Sequence, residues 1–326
     1  MSLSSVSVVI PTANRPTLVA RALNSVIAQT APPSEIIVVV DGPNEQTFEV
    51  LRSSSYSAVR VLQLPRQSGA SAARNFGVQN ARGDWIAFLD DDDEWLPNKL
   101  QRQLLAAAVS RRQYPIVCSR VIARTPRGEF LMPHRGPRFS GSVDEYLYCR
   151  RTLRSGEVFL HTSNLLAPRQ LFNRVPFTPG LRKWQDVDWL LRAGRVSGAT
   201  LEFVPEPLSI YHCEDFSRPT VSDACDWRYL FEWASSNHRI FSRSAYSGVM
   251  LISIMREAVR ERDRRAILPL ARQACKGSPR PIQLLWFLAG LIAFLLPTSA
   301  CHRLRLGLRN PYVLPDRMAL HSTQPF

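Results

Sequence analysis

Asp90-Asp91-Asp92-Asp93 is the densest concentration of chemistry-bearing side chains in the sequence. Four adjacent carboxylates repel one another, and where partly buried they need a cation or a raised pKa. They follow the apolar run 85–89 (WIAFL), and on an extended strand Asp90 and Asp92 point to the same face. Two carboxylates on one face suit a hard cation, because Mg²⁺ or Mn²⁺ takes one or two carboxylates plus substrate phosphates and water. The competing reading is a solvated acidic turn that caps the next helix through Asp93 or Glu94. Asp41 ends another apolar run, and Thr12 and Arg15 follow a third. An Asp there can accept from a ribose or a base, and an Arg can reach a phosphate, although Asp-Gly is also an ordinary strand stop. The segment 68–75 (SGASAARN) is small enough at a helix start to approach a ligand, and a helix N-terminus favours phosphate. Tight helix–sheet packing explains the same residues. In 184–192 (WQDVDWLLR), Asp186 or Asp188 is placed to act as a general base or as a helix N-cap.

The elements that must position these groups read as alternating strands and helices. Runs 6–10 (VSVVI), 36–40 (IIVVV), 59–64 and 85–89 are short, β-branched and apolar, as expected of buried parallel strands. The first is expected to end at Pro11. Helical spacing covers 16–29, with Leu18, Val19, Ala22, Leu23 and Val26 on one stripe, and a small-residue helix covers 69–80. This order implies a parallel sheet with right-handed crossovers, whose ligands sit beyond the carboxyl ends of the strands. Thr12, Asn14, Arg15, Asp41, Arg66, Ser68 and the Asp tetrad all fall there. Further along, 96–110 is expected to be helical, 116–123 a strand, 125–129 a hairpin turn and 133–142 a loop. Segments 162–166 and 201–204 read as strands, 187–196 as a helix, and 222–274 as mainly helical.

Segment 282–296 (IQLLWFLAGLIAFLL) is the most hydrophobic stretch, flanked by Arg280 and by Arg303, Arg305 and Arg309. It is shorter than the about 20 residues a spanning helix needs. An interfacial or re-entrant membrane helix is the favoured reading, and a buried core or oligomer helix the alternative. Lys+Arg 41 against Asp+Glu 27 gives a net charge of +14, which suits anionic partners such as nucleotides and lipid headgroups. Six scattered cysteines without a CxxC pair argue against a metal finger or a disulfide scaffold. Residues 1–7 are too few and too polar for a signal peptide. A reducing, cytoplasmic setting is expected.

Taken together, SVVIPTANRP at 7–16, IIVVVDG at 36–42, GASAARNFG at 69–77, AFLDDDDEWLPNKL at 87–100 and WQDVDWLLR at 184–192 resemble the family-2 inverting glycosyltransferases. Five motifs in order cover residues 5–215. The resemblance implies an α/β GT-A fold: a Rossmann-like, mostly parallel central sheet flanked by helices, with a helical C-terminal extension. It implies that Pro11, Thr12, Arg15, Asp41, Arg74, Asp90 and Asp91 hold the nucleotide. Asp90 and Asp92 match the metal-binding Asp-x-Asp, Asp92 being the direct ligand of Mg²⁺ or Mn²⁺, and Asp186 matches the catalytic base. Gln185 stands where the family has Glu. His212 is either a further phosphate or metal contact or a structural histidine. The domain reading is a glycosyltransferase domain at 1–215, with a nucleotide half at about 1–110 and an acceptor half at about 111–215, then a helical extension at 216–326. The implied partners are a nucleotide-diphospho-sugar donor, a glycan or lipid-linked acceptor, and an anionic membrane surface on whose cytoplasmic face the chain sits peripherally.

Other classes fit less well. GxGxxG after the first strand, GxxxxGK[ST], HExxH and GxSxG are all absent. A nucleotidyltransferase would show a Gly-rich, Lys-bearing first loop, which PTANRP is not. The acidic tetrad and the lack of a basic stripe interleaved with aromatics argue against a nucleic-acid partner. A sugar-nucleotide-binding relative that has lost catalysis stands as the other alternative.

Overall fold

The computed structural model describes residues 5–125, 128–137, 142–154, 156–213 and 225–295. Several expectations fall outside them: hairpin residues 126–127, the helical reading of 222–224, and the region from Leu296 onward with its flanking arginines. The first third is β1 (Val6–Thr12), α1 (Pro16–Ile27), β2 (Glu35–Val40), α2 (Glu45–Leu51), β3 (Val59–Gln63), α3 (Ala70–Asn80) and β4 (Trp85–Phe88). The middle comprises β5 (Glu94–Trp95), α4 (Lys99–Val109), β6 (Tyr114–Thr125), β7 (Gly128–Met132), α5 (Val143–Tyr148), β8 (Leu166–Pro168), α6 (Arg169–Arg174), α7 (Gln185–Ala193) and β9 (Ala199–His212). The last part is helical: α8 (Trp227–Ser236), α9 (Arg243–Gly248), α10 (Met255–Glu261), α11 (Ile267–Cys275) and α12 (Pro281–Leu295). A π-helical stretch, Val249–Ile254, joins α9 to α10.

The strand order is β3-β2-β1-β4-β8-β6-β9-β5, with β7 paired to β6. Strands β3, β2, β1 and β4 run parallel, as do β6 and β9, so six of the nine strands lie in parallel pairs. This is the α/β architecture read from the sequence, with its mostly parallel sheet and helical C-terminal region. The chain order reverses between β1 and β4, which makes the gap beyond their carboxyl ends the switch point where such sheets bind ligands. Thr12 and Arg15 follow one of these strands, and the Asp tetrad follows the other.

Alternation along β1 serves both faces of the sheet. Val8 and Ile10 pack with Val38, Val40 and the apolar stripe of α1, Val19, Ala22, Leu23 and Val26. Val9 packs with Ile37, Val39 and α3 on the other side. That second core continues without a break through Trp189 and Leu230 to Phe294, so sheet and C-terminal helices share one apolar interior. The small residues of α3 are explained here: a Cβ on Gly77 would lie 2.3 Å from Val9 Cγ1.

Three expectations change. Pro11 does not end β1, which runs on to Thr12 in register with β2. β4 pairs only with Val6 to Val9, so Pro11 sits where β1 has one neighbour and its missing N–H does no harm. The strand read at 162–166 is a 3₁₀ turn, Thr162–Asn164, followed by β8. The strand read at 201–204 is the core of the much longer β9. The helices α2 and α5, each under two turns, were too short to show a period.

Candidate active site

The tetrad lies in a turn and not on an extended strand. β4 stops at Phe88, and the Asp93 amide donates to the Asp90 carbonyl at 3.1 Å. Strand alternation would have paired Asp90 with Asp92; the turn instead brings Asp90 toward Asp93. Asp93 is 1% exposed, whereas the Asp92 side chain is 45% exposed.

Each carboxylate is compensated separately. The Arg74 Nη2 donates to Asp90 Oδ1 at 2.5 Å, and Ser163 Oγ accepts the Asp90 amide at 3.1 Å. Burial pushes the Asp90 carboxyl up, but Arg74 and His161 outweigh it and hold it below the ordinary range. Thr12 Oγ1 donates to Asp91 Oδ2 at 2.7 Å, and Arg15 Nη1 bridges Asp91 at 3.0 Å and Asp92 at 2.9 Å. Burial still pushes Asp91 up to about 6, Arg15 opposing and Asp92 reinforcing. Ser163 Oγ donates to Asp93 Oδ2 at 2.6 Å, and the His212 amide approaches Asp93 Oδ1 at 3.3 Å. Asp93 is raised by burial and by Asp92 and Asp90, against the pull of His161. Burial lowers the His161 pKa, but Asp93 and Asp90 more than reverse this and raise it.

His161 stands 3.3 Å from Asp93 and 3.6 Å from Asp90. Donor atoms of Asp90, Asp93 and His161 lie within 4.8 Å of one another, close enough to share a metal ion. Nothing in the sequence pointed to His161: it lies about seventy residues from the tetrad, in no spaced motif, and only the pairing of β8 with β4 brings it across. Ser163 was hidden for the same reason. The His161 ring packs 4.7 Å from Tyr211 and 5.8 Å from Phe159.

Arg74 connects this turn to the second candidate segment. Its Nη1 donates to Gln185 Oε1 at 2.8 Å while Nη2 holds Asp90. Asn75, next in α3, exchanges two hydrogen bonds with the Phe177 backbone. Asp186 therefore enters the site at the start of α7, its Oδ1 accepting the Val187 amide at 2.8 Å. Burial raises the Asp186 pKa, opposed by His161, the Val187 amide and Arg74. Asp188 points elsewhere: it accepts from Thr178 at 2.7 Å and from Arg192 at 2.7 Å. The choice between the two carboxylates falls on Asp186.

Three predicted residues have structural partners. Asp41 accepts the amides of Ser68 at 2.7 Å and Gly69 at 2.8 Å, so the anion expected at the start of α3 is this side chain itself. Pro11 is buried in β1. His212 Nε2 pairs with Glu94 at 2.7 Å while its amide faces Asp93. The site thus gathers Thr12, Arg15, Arg74, Asp90 to Asp93, His161 and Asp186 in one cleft, with Asp41 bracing its wall.

The family model for glycosyl transferase family 2 matches residues 7–177, taking in the acidic turn and stopping before Asp186. The amylovoran biosynthesis glycosyltransferase AmsB of Erwinia amylovora is 32% identical over 221 residues, which is 64% of this chain and 69% of AmsB. The chain belongs to glycosyl transferase family 2. A second relative is the Escherichia coli UDP-Glc:alpha-D-GlcNAc-diphosphoundecaprenol beta-1,3-glucosyltransferase WfgD. It is 37% identical over 100 residues, 30% of this chain and 39% of WfgD. Against WfgD, then, the family-2 chain spans well under half the relative's length. Among solved structures, S. aureus TarS 1-349 in complex with UDP aligns with TM-score 0.49 at 18% identity, over 82% of this chain and 70% of that one.

In this family-2 site Arg74 is the joint between the turn and α7. Removing one partner of a buried ion pair typically costs about 3–5 kcal/mol, because the other charge is left uncompensated. Arg74→Met should lower the unfolding free energy in urea by about 3 kcal/mol. A loss below about 1 kcal/mol would show that Asp90 does not depend on this partner.

Proposed function

We propose that the chain moves a sugar from a nucleotide-diphospho-sugar to an acceptor hydroxyl with inversion, Asp186 acting as general base. What supports this most is the convergence of Asp186 and the acidic turn on common partners: Arg74 spans Asp90 and Gln185, and His161 acts electrostatically on Asp90, Asp93 and Asp186. A base and an anion-compensating centre placed that way suit in-line displacement of a diphosphate.

Asp186 is prepared for proton transfer. Its Oδ1 is oriented by the Val187 amide, and among the described residues no donor reaches Oδ2. Oδ2 takes the acceptor proton as that oxygen attacks the anomeric carbon from the face opposite the departing diphosphate. Gln185 places a neutral amide, not a second carboxylate, beside the base. Arg15, half-exposed at the cleft edge, lies where a phosphate would pass.

The acidic turn fits a divalent cation, since buried carboxylates crowded to the point of raised pKa values are relieved by one. Mg²⁺ or Mn²⁺ would be held by Asp90 with Asp92, as the family resemblance implies, or by Asp90 with Asp93 and His161, the set the turn gathers. The imidazole in the second set suits Mn²⁺ better than Mg²⁺. When bound, the cation neutralises charge on the leaving diphosphate, worth several kcal/mol.

The names of AmsB and WfgD support a role in polysaccharide or glycolipid synthesis, on a lipid-linked or surface-glycan acceptor. Among the described residues no helix is long and apolar enough to cross a membrane. α12 nevertheless presents Leu284, Leu285, Leu288, Ile292 and Leu295 outward, from 48% to 77% exposed. An apolar face of this size next to arginines suits peripheral attachment to an anionic inner membrane surface.

Asp186→Asn should keep nucleoside-diphosphate binding and lose about 10²–10⁴-fold in transfer rate. A base must be ionised, and Asp186 is raised, so the wild-type rate should fall on the acid side at a pH above the ordinary carboxylate range. Near-normal transfer by the Asn variant would remove Asp186 from the role. In vesicle sedimentation, Leu288→Asp with Ile292→Asp should release the protein from phosphatidylglycerol vesicles. Undiminished sedimentation would assign the α12 face to something other than a membrane.

A further inference from the structure

Two guanidinium groups near the base have no acidic partner. Arg150 follows α5 and is half-buried, yet among the described residues it makes no hydrogen bond or ion pair. Burial, reinforced by Arg256, lowers its pKa to about 10. The acid nearest in effect is Glu157, but that carboxylate is already occupied. It accepts from Arg135 Nε at 2.9 Å, from the Arg151 and Thr152 amides at 2.9 Å each, and from the Thr152 hydroxyl at 2.9 Å. Arg256, exposed on α10, is equally unpaired, because its neighbour Glu257 is held by Lys183 at 3.1 Å and Arg260 at 2.9 Å. A fold that brings two arginines into mutual repulsion without an acid between them is complete only when an anion joins them.

Their location says which anion. The buried hydroxyl of Tyr148 experiences Asp186, Arg150 and Arg256 together, which places both arginines in electrostatic reach of the base. The same segment anchors α12: Gln283 Nε2 donates to the Tyr148 carbonyl at 3.2 Å, and Trp286 Nε1 to the Thr152 carbonyl at 3.0 Å. Met255, which precedes Arg256, packs so closely on α12 that a Cβ at Gly290 would lie 2.9 Å from its Cγ. The arginines therefore stand between Asp186 on one side and the exposed leucine face of α12 on the other.

We propose that Arg150 and Arg256 bind the phosphate of an acceptor whose apolar tail lies along α12 and whose hydroxyl faces Asp186. This deepens the proposed function and rests on Asp186 as the base. A bilayer headgroup or free phosphate offers the same anion, so the probes must separate them.

The experiment is calorimetric titration of the full chain in EDTA with decyl phosphate below its micelle concentration, with decyl glucoside, with inorganic phosphate and with phosphatidylglycerol vesicles. Arg150→Gln and Arg256→Gln should each weaken decyl phosphate binding at least tenfold and leave decyl glucoside unaffected, and Arg150→Lys should recover part of the loss. Nucleoside-diphosphate uptake with Mn²⁺ in each variant reports that it is folded. If the wild type takes up no nucleoside diphosphate, the transferase reading fails while the phosphate site is still judged by the decyl phosphate result. Equal decyl phosphate affinity in wild type and both glutamine variants overturns the proposal. So does inorganic phosphate binding as tightly as decyl phosphate, or a response to the substitutions confined to vesicles.

Discussion

Four carboxylates at the end of a buried strand are the constraint around which the rest of this structure is arranged. Charges of one sign in a low-dielectric setting must be paired, protonated or neutralised by an ion. The chain meets this with groups from separate elements: Thr12 and Arg15 after β1, Arg74 on α3, and His161 and Ser163 beside the 3₁₀ turn before β8. Each partner acts on a particular carboxylate, so the four differ. Asp90 is held below the ordinary range, Asp91 and Asp93 above it, and Asp92 stays open to solvent.

That arrangement also carries the base. Arg74 cannot hold Asp90 and Gln185 at once unless α3 and α7 are fixed relative to each other. The paired hydrogen bonds between Asn75 and Phe177 provide this, as does the stacking of Phe177 on Trp189 at 5.6 Å. The apolar interior then runs on into the C-terminal helices. The acceptor side is built from elements such as α5, α10 and α12, whose arginines and leucines face outward, in contrast with the acid-rich cleft at β1 and β4.

Much of this was legible in the sequence. Undisturbed apolar runs gave β1 to β4, and helical spacing gave α1, because each element is long enough and buried enough for its period to dominate. The polar residues at strand ends gave Thr12, Arg15, Asp90 and, with the family resemblance, Asp186. Other features depend on the third dimension. His161 and Ser163 reach the tetrad only through the antiparallel pairing of β8, and Asp41 turned out to brace the Ser68–Gly69 loop. The pairing of Asp90 with Asp93 depends on a turn where alternation suggested a strand. A tight turn overrides alternation, and four identical residues carry no signal of which will occur.

The central claim is that the cleft between β1 and β4 binds a nucleoside diphosphate together with a divalent ion. It is tested most directly by thermal unfolding of the wild-type chain with UDP, GDP, dTDP and CMP, each in Mn²⁺ and then in EDTA. Ligand at about a hundred times its dissociation constant stabilises the folded state by about 2.7 kcal/mol. The expected result is a clear upward shift with one diphosphate that disappears in EDTA. A folded sample whose transition moves with none of the four would contradict the account.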